Sequence, residues 1–159
     1  MRGPDHKQSS LFSYTNIEDR IAVDHPLRRV KVMADMVLHS MSPTFDSLYA
    51  EGGRPSIAPE RLLRALLLQC LFSIRSERAL IEHLDFNMMF RWFVGLSQDE
   101  PVWDHSSFSA NRDRLFKESV MREFFGGVVA IAEWAELISD EHFSVEGSLL
   151  RAWASHKSL

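Results

Sequence analysis

The residues whose types and spacing best suit chemistry lie between positions 76 and 115. A helix predicted near the end of this segment leaves Ser107, Asn111, Arg112 and Arg114 on its outer side. These side chains donate hydrogen bonds to phosphates and to base edges, and short capped helices precede them, so the arrangement fits a helix-turn-helix-like DNA reader. From spacing alone, a solvated polar helix face is the commoner explanation of such a pattern.

Two neighbouring groups of side chains could also contact nucleic acid. Arg75 and Arg78 flank the start of a predicted helix, and we expect them to be partners for phosphates. Arg91, Trp92 and Phe93 could stack on bases, but an aromatic cluster of this density more often belongs to a hydrophobic core.

A single carboxylate near the end of the sequence is the other candidate for chemistry. Residues 141–150 alternate Phe143 and Val145 with Ser144 and Glu146, which predicts a β-strand. A carboxylate presented by a strand is what a two-metal nuclease or transferase uses to hold Mg²⁺. One carboxylate cannot do this alone, so the pattern by itself favours an ordinary strand glutamate.

Other familiar catalytic and metal-binding patterns do not occur in the sequence. It contains no Gly-rich phosphate loop, nucleophile elbow or zinc motif, and its histidines have no ligand spacing. Cys70 is the only cysteine, which rules out an intramolecular disulfide and favours a small buried hydrophobic residue over a reactive thiol.

The elements that must position these residues are organised around one apolar helix, predicted over residues 59–74. Its middle contains only three strongly polar residues, Arg61, Arg64 and Gln69, so we expect it to be buried nearly all round. Its length of about 16 residues, interrupted by arginines, is too short for a membrane span of roughly 20. Further helices are predicted at 26–41, 77–84, 88–94, 106–116 and 117–138, with a stub at 42–49; Ser76, Asn87 and Asp104 are predicted N-caps, and Gly95 a left-handed stop.

Composition limits the kind of protein this can be. The 159 residues carry a net charge of −4 and 45% hydrophobic residues, as expected for one ordinary globular domain with or without the start of another. Because the chain has no overall basic field, any nucleic-acid site must be a local patch. No apolar signal segment follows the N-terminus, so we expect a cytoplasmic protein without a membrane partner.

Three segments of the sequence resemble, in order, the N-terminal part of insertion-sequence transposases of the IS-five family, with an InsH-like N-terminal domain. The first segment, 53–96, begins with GRPSIAPERLL; the second, 102–116, reads VWDHSSFSANRDRLF; and the third, 138–158, begins with ISDEHFSVEGSLL. The resemblance implies a mainly α fold, a multi-helical bundle with a helix-turn-helix-like part, ending in the first β-strand of an RNase H-like core. It also implies DDE-class chemistry, in which three acidic residues and Mg²⁺ cut and join DNA. The implied domains are an arm at 1–23, a helical DNA-binding and assembly domain at 24–138 and the start of the catalytic domain at 139–159.

The chain departs from this family at two points. The first catalytic aspartate of the family's V-D-G-T/S motif is Glu146 here, and the extra methylene moves the carboxylate by about 1.5 Å. The sequence ends at Leu159, before the two later acids, so we expect a truncated transposase that is catalytically incomplete alone and needs no cofactor, with Mg²⁺ implied for a full-length relative. The expected partners are DNA of the element's terminal repeats and a second copy or full-length transposase. A regulatory interaction fragment and a non-functional remnant of a decayed element remain alternatives.

Overall fold

The computed structural model describes residues 14, 16–48, 56–117 and 119–137, and within them the chain forms eight α-helices and no β-strand. The mainly α prediction is confirmed, whereas the strand predicted at 141–150 lies outside the described residues. The helices are α1 (Ile17–Arg20), α2 (Pro26–Ser40), α3 (Ser42–Leu48), α4 (Pro59–Leu71), α5 (Glu77–Phe86), α6 (Met88–Val94), α7 (His105–Lys117) and α8 (Val120–Trp134).

Helix α4 lies at the centre and contacts α5, α6, α7 and α8, as its apolar sequence predicts. Its leucines from Leu62 to Leu68 are fully enclosed, Leu71 at its end is partly exposed, and its two arginines reach acids on other elements. Arg61 pairs with Glu100, and Arg64 donates to Asp35 of α2 at 2.8 Å. Ion pairs of this kind let a buried helix carry charged residues, because each charge keeps a polar partner.

The predicted end of α4 at residue 74 is wrong, because the helix stops at Leu71. Ser73 takes a left-handed conformation with φ of 50°. Its amide donates to the carbonyl of Cys70, and the amide of Ile74 donates to that of Gln69 at 2.9 Å, which is the Schellman arrangement. This turn redirects the chain toward Arg75 and α5.

The predicted caps of α5 and α6 are confirmed. The Ser76 hydroxyl accepts a hydrogen bond from the amide of Ala79 at 3.1 Å. The Asn87 side chain accepts from the amide of Met89 at 2.9 Å, and Gly95 ends α6 with φ of 86°. Each cap satisfies an amide or carbonyl that has no partner inside its own helix.

The predicted helix over 117–138 is wrong at both ends. Helix α7 continues to Lys117, α8 begins only at Val120, and Ser119 between them has φ of 60°. Helix α8 stops at Trp134, with a second left-handed residue at Glu136. Since left-handed residues cannot continue a right-handed helix, these two positions set the ends of α8.

Helix α8 crosses α2 closely at one of its two adjacent glycines. A Cβ atom added at Gly127 would lie 2.9 Å from a methyl carbon of Val37, whereas one at Gly126 would have open space around it. A close helix crossing therefore accounts for Gly127 and not for Gly126.

The aromatic segment in α6 is core, as its density predicts. Trp92 and Phe93 are buried, and Arg91, only 3% exposed, donates to the carbonyls of Leu84 at 2.9 Å and Ser97 at 3.1 Å. Arg91 therefore fixes the loop after α6 and is not available to nucleic acid. Among the described residues, no helix has the length and apolar character needed to cross a membrane.

Candidate nucleic-acid interface

Three of the arginines predicted to contact DNA line one cleft between α5 and α7. The cleft has a volume of about 570 Å³. Three arginines against one glutamate give its lining a net charge of +2 with histidine neutral, although the whole chain is acidic. The lining residues are Gln69, Arg75, Ser76, Glu77, Arg78, His105 and Arg112.

Glu77 is the residue that joins the two walls of this cleft. Its carboxylate accepts a hydrogen bond from the Ser109 hydroxyl at 2.6 Å and forms an ion pair with Arg112. Ser109 and Arg112 both belong to α7. The imidazole Nε2 of His105 lies 3.8 Å from the same carboxylate, whose side chain is only 10% exposed. The Glu77 carboxylate thus makes these contacts with α7 and holds that helix against α5.

Arg112 is not on an outer helix face, contrary to the sequence-based expectation. Its guanidinium pairs with both Glu77 and Asp113, the latter at 2.7 Å, and lies 5.9 Å from the ring centroid of Phe116. Its side chain is about a quarter exposed, at 27%. The acid of α5 draws this arginine inward, so its first role is to position α7.

Arg75 and Arg78 are the cations of the cleft that remain open to solvent. Both residues are exposed, and neither has an ion pair or a side-chain hydrogen bond within the part of the chain that the structure describes. Arg75 lies in the short loop after α4, and Arg78 lies in the first turn of α5. Both residues are therefore accessible from solvent, and their contact with phosphates stays a prediction.

Ser107 and Asn111, predicted to face DNA, form hydrogen bonds within their own helix. The amide and the hydroxyl of Ser107 donate to Asp104 at 2.9 and 2.6 Å, and the Asn111 amide group donates to the Ser107 carbonyl at 2.8 Å. Asn111 Oδ1 is buried without a partner among the described residues. Arg114 is exposed further along α7 and does not line the cleft.

Asp104 is the N-cap of α7, as predicted. Hydrogen bonds from the hydroxyls of Ser106 and Ser107, followed by that from the Ser107 amide, hold the pKa of Asp104 well below its usual range. The carboxylate therefore stays ionised and anchors the first turn of α7 beside the cleft.

Glu77, Ser109 and His105 are site residues that the sequence did not single out. Glu77 follows a capping serine and so resembles an ordinary first-turn acid. Its partners lie 32 and 35 positions further along the chain, and no local pattern encodes such a pairing.

The remaining chemical candidates are of other kinds. Burial raises the pKa of Cys70 to about 11, so this buried thiol is unreactive at neutral pH. Within the described ranges, no group of three or more His, Cys, Asp or Glu side chains could hold a metal ion. Glu146 lies outside those ranges.

Comparison with known proteins identifies one related family. The sequence profile described as a transposase domain, DUF772, matches residues 15–114, which is more than half of the chain. The match includes all three arginines of the cleft. No curated protein and no solved structure gives a significant match to this chain.

Proposed function

Because the chain belongs to the DUF772 transposase domain family, we propose that it is the DNA-binding module of an insertion-sequence transposase. The resemblance of its three sequence segments supports the narrower assignment to the IS-five type of DDE-class transposases. The module binds DNA of the element's terminal repeats through the cleft between α5 and α7.

One observation carries this proposal: a chain of net charge −4 gathers three arginines at a single cleft. Arg75 and Arg78 are exposed and need no internal partner, and Arg112 is held in place by Glu77. Guanidinium groups match phosphate oxygens in charge and geometry, so this cluster suits a phosphate backbone. Phosphate contacts provide most of the affinity of a protein for DNA.

The helix termini around the cleft support the same ligand. Glu77 is the first residue of α5 and His105 the first of α7, and both line the cleft. The amides of a first helical turn have no acceptor within the helix, and the helix dipole is positive at that end. Ser76 and Asp104 already accept from the amides of Ala79 and Ser107, so only the uncapped amides of these first turns add to the attraction for phosphate.

The six residues predicted to bind DNA have different roles in this proposal. Arg75 and Arg78 bind phosphates, and Arg112 acts mainly by positioning α7. Arg114, exposed on the same helix, contacts the DNA beyond the cleft. The side chains of Ser107 and Asn111 form hydrogen bonds in the first turns of α7, so their contribution to DNA binding is the smallest.

The test is fluorescence anisotropy of the full chain with labelled duplex DNA from terminal repeats of a related insertion sequence and with scrambled duplex, at several salt concentrations. We expect tighter binding to the repeats and a fall in affinity with salt. Arg75→Ala and Arg78→Ala should each lower the slope of log affinity against log salt by about 0.9.

Arg20→Ala is the matched control. Arg20 is also exposed and carries no ion pair among the described residues, but it lies at the end of α1, away from the cleft lining. It should leave the salt slope unchanged. Absence of binding to either duplex, or equal effects of all three variants, contradicts the proposed site.

A further inference from the structure

Of the described residues that line the arginine cleft, His105 alone has a side chain whose charge changes between about pH 5 and pH 8. It is the first residue of α7, and its side chain is half exposed, at 50%. Within the described part of the chain, its imidazole forms no hydrogen bond. A group that enters the cleft can therefore reach this ring.

The acid nearest to His105 already has other partners. The imidazole Nε2 lies 3.8 Å from the Glu77 carboxylate, which is longer than a hydrogen bond. That carboxylate accepts from the Ser109 hydroxyl at 2.6 Å and pairs with Arg112. A protonated imidazole donates from both ring nitrogens, so His105 keeps a donor for a ligand even if one nitrogen turns to Glu77.

The charges that surround His105 are mostly positive. The charged residues that line the cleft with it are Glu77 and Arg78 of α5, Arg75 of the preceding loop and Arg112 of its own helix. Helix α4 contributes the uncharged Gln69, and α8 contributes no lining residue among those described. The neighbouring Asp104 is hydrogen-bonded to Ser106 and Ser107. The three arginines oppose a further positive charge at His105, and Glu77 favours it.

We propose that His105 is a further phosphate-binding residue of the cleft and that it binds as the imidazolium, taking up a proton from solvent when DNA enters. This inference rests on the proposed function, since DNA supplies the phosphate. A phosphate brings negative charge and acceptor oxygens to the ring, and both favour its charged form. Because the linkage is reciprocal, a lower pH must in turn strengthen DNA binding.

The proton should also change how binding depends on salt. Each phosphate that a cation neutralises releases counterions from the DNA and adds about 0.9 to the slope of log affinity against log salt. His105 becomes such a cation only when it is protonated. The salt dependence should therefore be steeper at low pH, which a purely structural role of His105 would not produce.

Fluorescence anisotropy of the full chain with labelled terminal-repeat duplex, over several salt concentrations at about pH 6 and about pH 8, tests this inference. The wild type should bind at least about threefold more tightly at the lower pH, since a shift of one pKa unit on binding would give tenfold. Its salt slope should steepen there by up to about 0.9. His105→Gln should lose most of both differences. His105→Lys, which stays charged at both pH values, should keep the steeper slope at both.

His39→Gln is the matched control, because His39 is exposed near the end of α2 and does not line the cleft. It should respond to pH as the wild type does, and far-UV circular dichroism should show that all variants are folded. If the wild type and His105→Gln bind DNA with the same response to pH, the inference is overturned and the DNA-binding site stands. A stability that depends on His105 at pH 6, without an effect on affinity, would mean that the ring only pairs with Glu77 and would also overturn it. Absence of DNA binding at both pH values contradicts the proposed function itself, and this inference with it.

Discussion

Among single residues, Glu77 joins the two walls of the cleft that we propose binds DNA. It forms an ion pair with Arg112 and accepts a hydrogen bond from Ser109. Arg112 is therefore held by the fold, whereas Arg75 and Arg78 face solvent. The sequence provided the residue types, since Arg75, Arg78 and Arg112 were identified from their donor groups. It could not provide the partner of Arg112, because Glu77 and Arg112 come together only when α5 and α7 pack.

Replacement of Arg112 should therefore have its main effect on the stability of the folded chain and a smaller effect on DNA binding. Arg112→Ala leaves the nearly buried Glu77 carboxylate without its cation, and we expect a loss of about 1–3 kcal/mol in the free energy of unfolding. Urea denaturation measures this loss. Adding Glu77→Gln should recover part of it, and exposed Arg78→Ala should stay within about 0.5 kcal/mol of the wild type. Equal stability of Arg112→Ala and wild type would show that the pair contributes nothing.

Asp104 should make the stability of α7 depend on pH. Its pKa is lower in the folded chain than in the unfolded chain, because the Ser106 and Ser107 hydroxyls and the Ser107 amide bond the ionised form. Its stabilisation is therefore complete above the unfolded pKa of about 3.9 and is lost as pH falls below it. Asp104→Ala should melt below the wild type at pH 7, and the gap should narrow below about pH 4. A gap that is constant with pH would contradict this account.

At the scale of secondary-structure elements, the sequence predicts the end of a helix correctly where a capping residue marks it. Ser76 begins α5, and Asn87 and Gly95 bound α6, where the sequence placed them, because capping depends on neighbouring residues only. The end of α5, predicted at residue 84, lies at Phe86 instead. The break before α8 was missed because its left-handed residue is Ser119, a residue type that rarely adopts this conformation. The early end of α4 at Leu71 was missed for the same reason, because the left-handed residue that follows it is Ser73.

The crossing of α2 and α8 gives a prediction with an internal control. Gly126→Ala should raise stability by up to about 1 kcal/mol, because alanine favours a helix and the added methyl meets no atom. Gly127→Ala should be less stable than Gly126→Ala, because its methyl would lie 2.9 Å from the stiff side chain of Val37. Thermal unfolding compares the two. Val37→Ala should remove the difference, and equal melting temperatures in the wild-type background would contradict the close crossing.

For the whole molecule, the central feature is that two different surfaces lie on opposite sides of α4: Gln69 lines the arginine cleft, whereas Leu67 and Leu71 line an apolar groove between α2, α4 and α8. Overall acidity predicts that any nucleic-acid site is a local patch, and the arginines of the cleft form a local basic patch. Composition could not predict the apolar groove on the other side, since its walls come from three helices distant in sequence. The family match establishes the relation to transposases, and the cleft is the part of the structure on which the proposal of DNA binding rests.

The most direct test of this account is amide hydrogen exchange of the full chain with and without terminal-repeat duplex. DNA in the cleft should slow exchange in the first turns of α5 and α7 and at Arg75 and Ser76, because residues of these segments line the cleft and bound duplex would shield them from solvent. Helix α2, on the opposite side of α4, should exchange at the same rate in both samples. Slower exchange confined to α2 and α8, with no change in α5 and α7, would contradict the assignment of the cleft as the DNA-binding surface.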